Sequence, residues 1–336
     1  MYGAGDRHKK LSIRLTLEEV MKLKAMVLAA TVAAATSMSV WADSDKPIKI
    51  SVNEWTGQHV SAHMTGQLLR KAGYTVEYVT AGAVPQFAAI AQGDLHVQPE
   101  TWGNNVGEIY PKSVAKGDIV IAGPLGLKPQ EGWIFPPYMK EKCPGLPDYK
   151  ALWDCAQAFA TAESFPNGRL ITYPADWGTR SKDLVELLGI PLQPVAGGSE
   201  GAMIAELKSA LSAKKPFLMM FWQPHWVFAE YEMDWVAWDA TPAGQECHEE
   251  KGQSKGNACG FKQADIKKIV SKNFSSDWPG AFKLMQMLTI DNQTQNTLIH
   301  AIDQKKGKVE DVIAKWVADN ESTWTPWVEA AKAAKK

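Results

Sequence analysis

What this chain has little of closes off several classes of function. A basic excess is missing: 36 Lys and Arg stand against 37 Asp and Glu, for a net charge of −1, and no Lys/Arg stripe gathers in the body of the sequence. Nucleic acid and anionic membrane surfaces are therefore not expected partners. Beyond the N-terminal region no apolar run reaches the length of a membrane span, so the expected body is soluble. Cysteine is sparse, with 4 in 336 residues, and none of them forms a CxxC pair, which argues against a structural zinc site. Internal repeats are absent, as are low-complexity tracts after the first forty or so residues. Apolar residues at 45% and charged residues at 22% are those of an ordinary globular protein with enough length for two lobes.

The N-terminal 42 residues read as an upstream extension followed by a secretory signal. Met21-Lys22-Leu23-Lys24 is a short basic start, Ala25 to Val40 an apolar and small-residue run, and Val40-Trp41-Ala42 a cleavage site after Ala42. Residues 1–20 are read as lying upstream of the true initiator, Met21. Export brings the cysteines into an oxidising compartment. Of the three pairings open to four cysteines, the local ones, Cys143–Cys155 and Cys247–Cys259, are expected, each closing a small loop.

What the chain does have is tryptophan. It holds 14 Trp against 10 Phe and 8 Tyr, an inversion of the usual order. Leu218–Trp226 reads as a buried strand that stops at Pro224 and carries Trp222 out of its end. Trp55, Trp102, Trp133 and Trp177 each follow or interrupt a strand-like run beside turn residues. One such tryptophan is most simply core. Several at strand ends point to an aromatic-walled pocket, because ligands of α/β sheets collect at the carboxyl ends of strands. Indole faces attract a quaternary or tertiary amine cation, each contact being worth roughly 0.5–2 kcal/mol; they can also stack on sugars.

Strand and helix patterns alternate from Ile48. Strands are expected at Ile48–Val52, Thr75–Thr80, Asp94–Pro99 and Asp118–Ala122, with helices near His59–Ala72 and Val84–Gln92. A second series runs through Arg169–Tyr173, a helix to Leu188, Leu192–Val195, a helix over Glu200–Ala213, the strand before Trp222, and Trp235–Trp238. From Gln263 onward only helices are expected, near Ala264–Lys272, Gly280–Leu288, Gln293–Ile302, Val309–Asp319 and Thr323–Lys335. The alternation predicts an α/β fold with mostly parallel sheets, residues 43–132 plus 240–336 forming one lobe and 133–239 the other.

Four further patterns carry chemistry. Glu131-Gly132-Trp133 lies where the first series joins the second, so Glu131 could accept a hydrogen bond from a ligand hydroxyl or, if protonated by burial, donate one to an oxide. Gly197-Gly198-Ser199-Glu200-Gly201 matches the nucleophile elbow of serine hydrolases, but no oxyanion loop is apparent and Ser199 serves better as a helix cap. His59 and His63 lack the glutamate of a zinc-protease helix and are expected on a solvated face. Glu246, Glu249, Glu250 and Asn257, in or beside the second cysteine loop, could hold Ca²⁺ outside the cell, although EF-hand spacing is lacking.

Taken together, several motifs resemble the substrate-binding proteins of ABC importers for quaternary ammonium compounds, the glycine betaine/choline/carnitine group. They are Asn53-Glu54-Trp55, Gly93-Asp94 with Glu100-Thr101-Trp102, Glu131-Gly132-Trp133, Tyr173-Pro174 to Gly178-Thr179-Arg180, Gly198-Ser199-Glu200-Gly201, Phe221-Trp222-Gln223-Pro224-His225 and Trp316-Val317-Ala318-Asp319-Asn320. The resemblance spans both lobes. It implies a type II periplasmic-binding-protein fold, two α/β lobes with a hinge and a ligand cleft between them, acting in the periplasm as a monomer without catalysis or a required cofactor. The implied partners are a small trimethylammonium-type ligand, the transmembrane permease subunit and its ATPase.

Carried onto this sequence, the cage is Trp55, Trp102, Trp133 and Trp222, with Trp177 from a variable loop and Glu131 at the polar end. A ligand carboxylate, as in glycine betaine or carnitine, wants Arg, His or backbone N–H donors, and only His225 and Arg180 offer themselves. The sequence is most similar to the branch that binds trimethylamine N-oxide; choline and glycine betaine are the alternatives, and a secreted serine hydrolase or a sugar-binding module lie further off.

Overall fold

Alternating or fully apolar runs bounded by turn residues set the strands, and a computed structural model of the chain, which describes residues 43–103, 106–239, 259–261 and 265–335, gathers them into two five-stranded sheets. The first has the order β2-β1-β3-β10-β4, built from β1 (Ile48–Val52), β2 (Val76–Thr80), β3 (Val97–Thr101), β4 (Ile119–Pro124) and β10 (Lys267–Ser271). The second has the order β7-β6-β8-β5-β9, built from β5 (Gln130–Phe135), β6 (Gly168–Thr172), β7 (Leu192–Ala196), β8 (Met219–Gln223) and β9 (Asp234–Trp235). Two α/β lobes result.

The sheets are mixed, which departs from the parallel expectation in the same way in both lobes. In each, three strands run parallel, β2-β1-β3 and β7-β6-β8. The next strand is antiparallel to them, β10 beside β3 and β5 beside β8. These are the strands that enter a sheet just after the chain has crossed from the other lobe. A strand delivered from the far side starts at the cleft end and runs away from it. Two readings of the sequence are corrected here. Ala264–Lys272 was expected to be helical, but Lys267–Ser271 is a strand. It lies between two neighbours with Lys268, Ile269 and Val270 at 0% exposure, so both faces are covered and no helical period is needed. Glu131-Gly132-Trp133 was expected as a connection and lies inside β5.

The first sheet is covered on one side by α1 (Thr56–Lys71), against which the C-terminal helices α7 (Asn292–Asp303), α8 (Val309–Asp319) and α9 (Glu321–Ala334) pack, α9 also lying along α6 (Pro279–Met287). A smaller apolar cluster of Phe87, Ile90, Leu95, Val106, Ile119 and Ile269 covers its other side, with α2 (Gln86–Gln92) and α3 (Ile109–Ala115) over it. In the second lobe, α4 (Arg180–Leu188) and α5 (Glu200–Ser212) flank the sheet. Ser199 caps α5, its side chain accepting from the Ala202 N–H, which is the role expected of it rather than that of a nucleophile. Cys143 and Cys155 are disulfide-bonded. The other expected bridge has Cys247 outside the described residues, as are Glu246, Glu249, Glu250 and Asn257 of the proposed Ca²⁺ loop and the N-terminal 42 residues. Among the described residues no helix is long and apolar enough to cross a membrane.

Candidate ligand-binding site

Where the strands of the two sheets end, aromatic side chains meet around a cavity of about 30 Å³, lined by Trp55, Ala83, Gln86, Trp102, Val106, Glu131, Tyr173, Trp177 and Trp222. On the same measure one water needs roughly 10–15 Å³, so the space suits a ligand of few heavy atoms. Each wall has a local origin. Trp55 is the residue before α1 and Trp102 directly follows β3; both belong to the first lobe. Tyr173 directly follows β6, Trp177 closes the 3-10 turn after it, and Trp222 is the penultimate residue of β8, beside its register partner Glu131 of β5.

The rings stand at steep angles to one another. Trp55 and Trp177 meet across the lobes at 5.0 Å between centroids and 64°. Trp177 and Trp222 lie 5.5 Å apart at 72°, and Tyr173 stands 5.5 Å from Trp222 at 74°. Edge-to-face contacts of this kind are favourable and leave a box rather than a stack. The polar end belongs to Glu131, 8% exposed, whose Oε1 accepts from the Tyr173 hydroxyl at 3.0 Å. Burial, with Glu131 next to it, raises the Tyr173 pKa well above the usual phenol range, so that hydroxyl keeps its proton and remains a donor.

Trp133, expected in the cage, does not line this cavity. β5 runs antiparallel, so its start faces the cleft, and Trp133 sits one pleat repeat deeper than Glu131. It is fully buried, packs edge-on against Trp238 at 5.0 Å and donates its indole N–H to Ser181 Oγ at 3.0 Å. Trp226, by contrast, packs as expected away from the cavity. His63 is not on a solvated face, being buried with its ring stacked on Tyr78 at 4.3 Å, and His59 is half-buried with Nε2 2.7 Å from the Asn53 carbonyl.

Three groups of functional weight went unread in the sequence. Tyr173 could have been found by the same strand-end rule that found the tryptophans. Glu100, 1% exposed, accepts the indole N–H of both Trp55 and Trp102 on Oε1, each at 2.9 Å. Its Oε2 accepts from Ser61 at 2.6 Å and from Gln295 of α7 at 2.9 Å. A Cβ on Gly57 would stand 2.8 Å from Gln295 Nε2, so α1 needs a glycine there to let this pair close. Behind it, Gln98, Gln86, Gln58 and Asn53 form a buried amide network.

The third group is a polar seam across the lobes. Glu200 Oε2 accepts from both the N–H and the hydroxyl of Thr56 at 2.9 Å, so the N-terminus of α1 is capped by the opposite lobe. Val227 N–H donates to His225 Nδ1 at 3.2 Å, which places the imidazole proton on Nε2, 3.2 Å from Glu200 Oε1. The Thr56 hydroxyl is also 2.8 Å from Asp303 Oδ1, and Trp226 donates to Asp303 Oδ2 at 2.8 Å. Burial and then the neighbouring Glu200 raise the Asp303 pKa. Burial alone would raise Glu200 too, but His225 and Thr56 hold it below the ordinary carboxylate range. The two ligand-carboxylate donors foreseen in the sequence are thus committed: His225 to Glu200, and Arg180 through Nε and Nη2 to the Gly260 carbonyl at 3.0 and 2.7 Å.

An aromatic cavity at the ends of two sheets, sealed by contacts that cross between them, defines a two-lobed binding protein. The family profile for the substrate-binding domain of ABC-type glycine betaine transport systems matches residues 46–319, and the chain belongs to that family. It is 29% identical over 320 residues, 93% of its length and 100% of the relative's, to the trimethylamine N-oxide-binding protein of Pelagibacter ubique (strain HTCC1062). In fold it is similar to lactococcal OpuAC in its closed conformation with glycine betaine, with a TM-score of 0.66 and 19% identity over 84% of this chain and 100% of that one. A choline-binding protein of an ABC transporter in complex with choline gives a TM-score of 0.67 and 16% identity over 86% of this chain and 97% of that one.

Proposed function

We propose that the chain captures trimethylamine N-oxide between its lobes and delivers it to an ABC permease driven by its ATPase, after export to the periplasm through the N-terminal signal. The observation that carries this reading is the small cavity walled by Trp55, Trp102, Trp177 and Trp222 with Glu131 among its lining residues. Four indoles suit a trimethylammonium group, which offers no hydrogen bond and is drawn by ring quadrupoles. Among the described residues no Arg, Lys or His lines the cavity, so the carboxylate of glycine betaine or carnitine would enter without a cationic partner from them and beside Glu131. Tyr173 and Glu131 would meet the oxide, with Glu131 donating if it carries a proton. The small volume and the curated relative that binds trimethylamine N-oxide favour that ligand over choline, whose longer arm needs more room.

Titration calorimetry against trimethylamine N-oxide, choline, glycine betaine and carnitine tests the reading. Trimethylamine N-oxide is expected to bind tightest. Tight binding of choline or glycine betaine with none of the N-oxide would overturn the ligand and leave the family intact.

A further inference from the structure

We infer that Glu100 is a positioning residue for the cage and the anion that faces the ligand's ammonium nitrogen from behind the rings; the inference rests on the cavity being the ligand site. Glu100 does not line the cavity. It lies behind it, joined to two walls through the indole N–H groups of Trp55 and Trp102, and that pair of hydrogen bonds to one oxygen fixes both ring planes at once.

Among the described residues its charge has no ionic partner. The groups bonded to Glu100 are Trp55 just before α1, Ser61 in the N-terminal part of α1, Trp102 after β3, and Gln295 of α7, all uncharged. Glu100 forms no ion pair among the described residues. Buried charges are ordinarily paired, and a carboxylate left alone is expensive to bury. Burial accordingly raises the Glu100 pKa, against which its four hydrogen bonds pull downward. Those bonds favour the ionised form, because an ionised carboxylate offers about four acceptor sites and donors fill them all here. Trp55 and Trp102 have no acceptor on their indole nitrogens, so a proton on Oε1 would face only N–H groups.

A carboxylate so placed acts on the cavity in two ways. It attracts a cation on the far side of the rings through a medium of low dielectric, and by accepting their N–H bonds it pushes electron density into both indoles, deepening the negative potential of their faces. A bound trimethylammonium nitrogen then supplies the counter-charge that the fold withholds.

The test compares tetramethylammonium, with a full net charge, and trimethylamine N-oxide, with none, on the full chain and on Glu100→Gln, with Ser61→Ala as a control for local packing. Glu100→Gln should lose about tenfold in tetramethylammonium affinity, the scale of one desolvated cation–π contact, and distinctly less for the N-oxide. Ser61→Ala should shift both alike and by less. Equal losses for the two ligands in Glu100→Gln, or no loss, would overturn the electrostatic role. So would a wild-type chain that binds the N-oxide and refuses tetramethylammonium. A wild-type chain that binds neither would overturn the cavity reading as well. If Glu100→Gln does not fold, the wild type still decides: the affinity for tetramethylammonium, which does not itself titrate, should weaken as the pH falls through the raised pKa of Glu100, and a flat profile contradicts the inference.

Discussion

The two lobes hold their halves of the cage by different means. In the first, Trp55 and Trp102 hang from one buried carboxyl group, that of Glu100, by hydrogen bonds to a single oxygen. In the second, Trp177, Trp222 and Tyr173 lean on one another at steep angles, with Tyr173 bonded to the cavity carboxylate Glu131 and Trp177 to Glu54 of the first lobe. Hydrogen bonds to a buried charge set direction as well as position, whereas ring contacts tolerate sliding. The first half of the cage should therefore be rigid before ligand arrives, and the second half should settle as the lobes meet at the Trp55–Trp177 contact.

Removing the first lobe's anchor should have the largest effect. Glu100→Ala strands two indole N–H groups and the Gln295 amide in the interior, and should lower unfolding free energy by about 3–5 kcal/mol; a urea melt unchanged from wild type would show that the indoles need no anchor. Next come the walls. Trp55→Ala and Trp222→Ala should each weaken trimethylamine N-oxide binding by about tenfold to a hundredfold, read by calorimetry. If only Trp222→Ala matters, the cage belongs to the second lobe alone.

The seam between the lobes gives a smaller, pH-dependent effect. The Asp303 carboxyl binds its proton more tightly in the folded chain than in the unfolded one. Its contribution to stability is therefore full below about pH 4, where an unfolded aspartate titrates, and is lost as the pH rises towards the raised folded value. Glu200 has the opposite sign: its folded pKa is depressed, so its contribution is present above the unfolded value and lost as the pH falls through the folded one. Urea midpoints measured across this range should show both slopes, and Asp303→Asn should remove only the upper. An unaltered upper slope would assign it to another group. Smallest is Ser199→Ala, which should reduce stability by about 1 kcal/mol through loss of the α5 cap and leave ligand affinity unchanged. A loss of binding would place Ser199 in the site.

How much of this the sequence disclosed depended on strand direction. Trp55, Trp102, Trp177 and Trp222 were legible because they follow parallel strands or lie near their ends, and the carboxyl ends of those strands face the cleft. The same rule failed at Trp133 because β5 enters the sheet reversed, so its start carries the cleft residue, Glu131, and two positions on the chain is already inside the lobe. β10 was misread for a related reason: a short strand covered on both faces shows no alternation to separate it from a buried helix. Glu100 was quoted within a motif but given no role. The available signal was an acidic residue within a strand flanked by apolar and small positions, which needs a specific reason to be there. The Thr56–Glu200–Asp303 seam joins residues more than a hundred positions apart, and no local pattern reveals it.

The account's central claim is that the indole-walled cavity is where a methylated amine is held. A crystal structure of the chain grown with trimethylamine N-oxide tests it most directly. The nitrogen is expected within about 6 Å of the ring centroids of Trp55, Trp102, Trp177 and Trp222, with the oxygen turned to Glu131 and Tyr173. A ligand bound elsewhere, or one whose oxygen faces Trp55 and Trp102, would contradict it.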